Sequence, residues 1–596
     1  MGGHNVISSG LRGALFASVV LAAAIASAPA TAQQVSPPGS MAAHYDRNAA
    51  QQPQIPPQLS EAERQTYRDL FAAIDREDWQ RATALIERTR GGLLQQVAEA
   101  EYFTHANSPR IDADQIARWF EEGVELPQAE QIGRLGERRG LERTPVLPAP
   151  QIFARQPSAS KRLRPATIDD GTMPAKIRET ILEAIRGDDP VSAHAALVSV
   201  DPMLSPAARA EWRQRVAWSY YIENDDANAL SLAETVKQGS GPWVAEGEWV
   251  AGLAAWRMGY CALAGEAFAR AADRSTNTEL TAAAHYWAHR ALIRCREPDA
   301  AQQHLSAAAR HDETLYGMLA IDQLGIEVAQ QAVPQRFSEH DWKAVRDRRN
   351  VRIAAALVEI GRPALADEVL RHEARIGRAR DYPVLARLAR ELGLPTTQLF
   401  MAHYAPYGMR ADPALRFPLA RWQPVTGWRV DPALAFAHAL QESNFRASAV
   451  SPANARGLMQ ITPITVRQHA PRLNMSASYV DLDDPEVNLA FGQRNLEMLR
   501  DSPATQGLLP KIMAAYNAGL SPVTRWNDEI NDQGDPLLWM ESIPYWETRG
   551  YVAIVMRNYW MYERAAGVAS PSRRALAQGR WPEFPYVATM RTASID

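Results

Sequence analysis

The chain reads as an all-α protein, and three observations predict that class. Apolar residues recur at helical spacing, as in Tyr67, Leu70, Phe71 and Ile74, the stripe of an amphipathic helix opened by the capping-box pair Ser60 and Glu63. Alternating Val/Ile/Thr runs, the mark of strands, are almost absent up to about residue 400. Finally, "WVAGLAAWRMGYCALAGEAFARAA" (249–272) and "YWAHRALIRCREPDAAQQHLSAAA" (286–309) superimpose at an offset of 37, pairing Trp249 with Tyr286, Ala255 with Leu292 and Phe268 with Leu305. Aromatic residues opening one helix and small residues lining the next are the signs of paired-helix repeats of the tetratricopeptide kind. A hairpin of this sort cannot bury its face alone, so stacking builds a curved solenoid.

At 596 residues the chain exceeds what a single core supports, so several domains are expected. Net charge is -4 with 22% charged residues, and this balance lacks the basic excess of a nucleic-acid binder. The N-terminus has Arg12, an apolar run from about Ala14 to Ala28, and the small-residue pattern Ala30-Thr31-Ala32, which reads as a secretory signal peptide over 1–32. No cysteine follows it, so no lipid anchor is expected, and periplasmic export of an unanchored chain is. Residues 33–58 are rich in Pro, Gln and Ala and read as a flexible leader. The chain then divides into a superhelical array (59–335), a helical linker domain (336–412), a C-terminal α domain (413–580) and a tail (581–596). Prolines in 143–174 forbid a long helix and predict an extended segment crossing the array. Export permits a Cys261–Cys295 disulfide; two buried thiols are the alternative.

Chemistry concentrates after residue 430. Asp431-Pro432 is an N-cap followed by the first helical position, and "DPALAFAHALQESNF" runs as a helix to Phe445. Glu442 falls in its last turn, near the negative end of the helix dipole and close to Leu440, Phe445, Leu458 and Met459. Both surroundings disfavour the carboxylate and raise its pKa, as a general acid working near neutral pH requires. The next acid along the chain is Asp481, so Glu442 has no sequence-adjacent partner. The 13 histidines show no metal-ligand spacing, and neither a metal nor a cofactor is expected.

Four motifs stand in order: Glu442-Ser443-x-Phe445, Gly457-Leu458-Met459-Gln460, Ala515-Tyr516-Asn517-Ala518-Gly519, and Glu541-Ser542-Ile543-Pro544-Tyr545-x-Glu547-Thr548-Arg549-Gly550-Tyr551-Val552. In this the chain resembles the soluble lytic murein transglycosylases, closely over 415–580 and loosely over the helical array. The resemblance implies a lysozyme-like α domain behind a superhelix closed into a ring. It implies Glu442 as catalytic acid/base, Ser451, Gln460, Tyr516 and Asn517 along the sugar subsites, Glu541 facing the peptide arm of the substrate, and Tyr551 beneath the cleft. The substrate would be peptidoglycan, the enzyme a monomer, and other cell-wall enzymes its candidate partners. Asn454, Thr462 and Leu520 depart from the family pattern, where glycine, methionine and proline are common.

A lone acid suits an intramolecular reaction. Paired-acid glycosidases hold two carboxyls about 5–5.5 Å or about 6.5–9.5 Å apart. Here one carboxyl would serve twice, first as acid to the bridging oxygen and then as base to the sugar's own C6 hydroxyl, closing a 1,6-anhydro ring. Two alternatives stand beside this one: a hydrolytic muramidase on the same fold, and a non-catalytic envelope scaffold that only grips glycan. The intact Glu442, Gln460 and Tyr516 favour an active enzyme.

Overall fold

The computed structural model describes residues 55–327 and 335–585, together with Met41 and residues 43–45. The signal peptide, most of the leader and most of the tail lie outside them. The described chain is helix after helix, with one two-stranded sheet. Its first long helix, Glu61–Asp75, starts at the expected capping box, in which Ser60 N–H donates to Glu63 Oε2 at 2.8 Å and Glu63 N–H to Ser60 Oγ at 3.3 Å. Tyr67, Leu70, Phe71 and Ile74 are all buried.

The repeat is visible as four successive helices, Trp243–Arg257, Cys261–Arg274, Thr278–Arg294 and Pro298–Ala309, each packed on the next. Trp249 meets Phe268 with ring centroids 5.2 Å apart, and Phe268 meets Trp287 at 5.7 Å. Gly252 lets these helices close up, because a Cβ there would stand 2.5 Å from the Phe268 ring. Cys261 and Cys295 are joined as a disulfide across two consecutive hairpins.

The apolar cores do not follow chain order. One contains buried residues between 59 and 132 together with others between 337 and 415. The second runs from Ile181 through the paired helices into residues 417–584 and is continuous with the C-terminal domain. Each helix face has an apolar stripe legible in the sequence, but which distant helix covers it is settled only by packing.

The proline-rich stretch forms no long helix, as its composition predicts, but it runs between these two bodies rather than within a single array. Phe153–Arg155 pairs antiparallel with Tyr404–Pro406, a short sheet that helical periodicity does not announce. Further along, Trp243 Nε1–H donates to Ala166 O at 2.9 Å and Asn277 Nδ2–H to Lys161 O at 2.8 Å. Tyr45, within the stretch expected to be a flexible leader, is instead buried against Trp428 and Phe436, at 5.3 and 5.8 Å between ring centroids. An isolated aromatic has no periodicity to betray its docking.

The disulfide closes a span of 34 residues, for which chain entropy gives about 3–4 kcal/mol of stabilisation. Denatured, unreduced protein should show no free thiol, and Cys295→Ser should lose about that much in urea unfolding.

Candidate active site

The helix that carries Glu442 spans Pro432–Ser443. Asp431 caps it by accepting from Ala433 N–H at 2.8 Å, and Pro432 needs no partner for its missing N–H. The sequence reading carried this helix on to Phe445. It stops earlier because Asn444 and Phe445 both adopt left-handed backbone, at φ 51° and 62°. The Asn444 N–H closes the end on Ala439 O, while Phe445 turns inward against Phe436 and Trp422. Glu442 therefore keeps its place in the last turn, with its helix anchored immediately beyond it.

Two further helices, Leu509–Ala518 and Trp546–Ala566, bring tyrosines to this point. The Tyr551 hydroxyl donates to Glu442 Oε1 at 2.7 Å and also lies 2.7 Å from His438 Nδ1. Tyr516 donates to Met459 O at 2.8 Å, and its ring lies nearly parallel to that of Tyr551, with centroids 6.5 Å apart. Burial pushes the Glu442 carboxyl up to about 7; the Tyr551 hydrogen bond opposes the rise and Glu547 adds slightly to it. Glu547 is exposed and sits one turn before Tyr551 on the same helix. Its charge is the acidic influence felt by the raised Glu442 carboxyl.

Residues 449–461 form a tight loop beside the acid. Ser451 Oγ accepts from Ala455 N–H at 3.0 Å, and Asn454 takes φ 58°, a left-handed conformation that asparagine tolerates. Gly457 is at φ 74°, and a Cβ on it would meet Asn488 Nδ2 at 2.0 Å and Leu482 O at 2.3 Å. Asn488 fills that space for a reason. Its amide donates to Arg456 O and Leu482 O while its Oδ1 accepts from Met459 N–H at 2.9 Å, which fixes the carbonyl used by Tyr516. Gln460 also adopts positive φ, and its Nε2 donates to Gly457 O at 2.9 Å and Ala449 O at 3.2 Å, leaving its Oε1 unclaimed by these bonds.

The structure thus gathers Glu442, Tyr551 and Tyr516 into one group, while the Gln460 side chain bonds within its own loop, next in the chain to the Met459 that receives Tyr516. Asn517 follows Tyr516 on its helix and accepts from Thr548 Oγ1 at 2.6 Å. Glu541 is placed differently. It is buried, with Oε1 accepting from Tyr316 at 2.7 Å and Oε2 from Arg162 at 3.0 Å. Arg162 comes from the crossing segment and pairs at the same time with Glu246 of the array at 2.9 Å. Each Glu541 oxygen therefore already accepts one hydrogen bond from another part of the chain. Sequence reasoning also missed His438, Asn488 and Arg162. Only His438 left a signal, since four residues before Glu442 is the same helix face. Among the described residues no cluster of three or more His, Cys, Asp or Glu could hold a metal ion.

Part of the sequence, and the fold as a whole, are similar to one class of protein. Residues 423–537 fit the family model described as the transglycosylase SLT domain. The chain is 36% identical to a putative soluble lytic murein transglycosylase of Haemophilus influenzae over 130 residues, 22% of each chain. It is 34% identical to the soluble lytic murein transglycosylase of Escherichia coli over 149 residues, 24% of this chain and 22% of that one. These sequence matches span about a fifth of the curated relatives' length. The fold likeness reaches much further. The crystal structure of the 70 kDa soluble lytic transglycosylase of Escherichia coli aligns with TM-score 0.52 and 16% identity, covering 88% of this chain and all of that one. The first three motifs lie within the matched residues 423–537 and the fourth, from Glu541, lies beyond them; the all-α superhelical architecture agrees with the fold likeness.

Two measurements test this geometry. Tyr551→Phe removes the one hydrogen bond that favours ionised Glu442, so the Glu442 titration, followed by carbon NMR, should move to higher pH. Arg162→Met removes the cation hydrogen-bonded to both Glu246 and Glu541, leaving Arg549 as the nearby buried charge, and should cost about 3 kcal/mol in chemical denaturation.

Proposed function

We propose that this protein is a lytic transglycosylase that cleaves the β-1,4 bond between N-acetylmuramic acid and N-acetylglucosamine in peptidoglycan and leaves 1,6-anhydromuramic ends. The observation that carries the reading is a single partly buried carboxyl, Glu442, raised to about 7 and held by a tyrosine hydroxyl in a domain of the transglycosylase SLT type. A carboxyl titrating there is protonated often enough to act as an acid and, once ionised, basic enough to take a proton back.

The steps follow from that poise. Protonated Glu442 gives its proton to the bridging oxygen as the bond to the muramic C1 breaks, and the Tyr551 hydrogen bond stabilises the carboxylate that forms. The muramic C6 hydroxyl then attacks C1 while Glu442 removes its proton, which restores the acid and closes the anhydro ring. The nucleophile is already attached to the substrate, so no protein group need activate water. Ser451, Gln460, Tyr516 and Asn517 line the sugar path in this reading. The pattern over 1–32 supports a periplasmic setting, in keeping with a murein substrate; no helix among the described residues is long and apolar enough to cross a membrane.

A hydrolytic outcome keeps one observation in its favour, the influence of Glu547 on Glu442. Mass analysis of products from purified sacculi separates the two: anhydro-muropeptides are expected, and reducing ends would instead assign hydrolysis. Glu442→Gln should lower turnover by about 10²–10⁴-fold with unchanged thermal unfolding. Because the protonated form starts the reaction, kcat/KM should fall as pH rises through about 7.

A further inference from the structure

Behind Tyr551 the hydrogen-bond chain continues to His438, which no substrate can reach. His438 is fully buried, and burial alone pushes its pKa down to about 3, so the imidazole is neutral and carries one N–H. Its Nδ1 lies 2.7 Å from the Tyr551 hydroxyl oxygen; its Nε2 is buried with no hydrogen-bond partner. The ring is packed by Tyr516 at 4.5 Å and Tyr551 at 5.8 Å between centroids, and the charged groups beyond Tyr551 are Glu442 and the exposed Glu547.

Two tautomers are available, and they differ in what they strand. A hydrogen on Nε2 would leave a buried N–H donor unpaired, whereas a hydrogen on Nδ1 leaves only an unpaired acceptor there. Orphaned buried donors are the rarer of the two in folded proteins. The Nδ1–H form also settles the next link. The Tyr551 hydroxyl has one hydrogen and two neighbours at equal distance, so accepting from His438 commits its hydrogen to Glu442.

We propose that His438 is a positioning residue: its Nδ1–H donates to the Tyr551 hydroxyl oxygen, turns that hydroxyl permanently toward Glu442 Oε1, and leaves Oε2 as the oxygen that carries the transferred proton. Among the described residues Tyr551 is the hydrogen-bond partner recorded for Glu442, through Oε1, and Oε2 is not among the fully buried unsatisfied atoms, so it keeps contact with solvent. Without His438 the Tyr551 hydroxyl could rotate and accept from protonated Glu442. The proton would then sit on the oxygen facing the tyrosine, where it cannot reach a glycosidic bond. The inference rests on the single-acid reading above and adds which oxygen acts and what orients it.

The tautomer can be read without substrate. In full-length protein labelled with nitrogen-15 at histidine, with the His438 signals assigned by their loss in His438→Asn, a pyrrole-type shift at Nδ1 and a pyridine-type shift at Nε2 are expected. The reverse pattern would overturn the proposal, whatever the enzyme's activity. In turnover, His438→Asn retains a donor near the Nδ1 position and should keep the basic limb of the pH profile where the wild type has it. His438→Phe should move that limb to higher pH and lower kcat by about tenfold with little change in KM. Equal profiles for the two variants would also count against the proposal. Failure of Glu442→Gln to abolish cleavage would strike the functional reading alone and leave the tautomer result standing.

Discussion

The hydrogen bond from Tyr551 to a desolvated Glu442 is the interaction on which the rest of the site depends. Burial alone would drive the carboxyl further toward its neutral form, and full exposure would leave it ionised. One donor in a largely desolvated setting holds it between these limits. The surrounding structure serves to keep that donor in place. The Trp546–Ala566 helix carries Tyr551, the two left-handed residues after Ser443 end the acid's helix on a buried phenylalanine, and Asn488 ties down the loop whose carbonyl receives Tyr516.

Support for the acid also comes from outside the C-terminal domain. The core beneath Glu442 is the same one that fills the paired helices. Tyr221 of the array bonds Ser542 at 2.8 Å, Arg557 reaches Glu279 at 3.0 Å, and Arg162 lies between Glu246 and Glu541 with its guanidinium 4.6 Å from the Trp249 ring centre. A buried cation flanked by two carboxylates and an aromatic face gives little net stability, but it specifies one docking geometry. Glu541, to which resemblance gives a place at the substrate, also ties its helix to Tyr316 of the array and Arg162 of the crossing segment.

Much of this was legible in the sequence, and the limits have physical causes. The all-α class, the capping box at Ser60, the crossing segment at 143–174 and the stacked repeat around Trp249 all rest on local patterns, and each is present. So does the place of Glu442 in a final turn. The pairing of Phe153–Arg155 with Tyr404–Pro406, the grouping of residues 59–132 with 337–415, and the hold of Asn488 on Gly457 each join positions far apart in the chain. No local period encodes such contacts. The Phe445 end of the helix was misjudged because Asn444 and Phe445 give no glycine or proline signal for their left-handed turn. His438 lay in plain view one turn from the acid, but its meaning depends on a tyrosine more than a hundred residues away.

The continuous core has a mechanical corollary. Hinge motion between the array and the glutamate-bearing domain would have to pull apart apolar surface and uncouple Arg162 from two acids in the same movement. Glu442 therefore keeps a fixed orientation with respect to the paired helices.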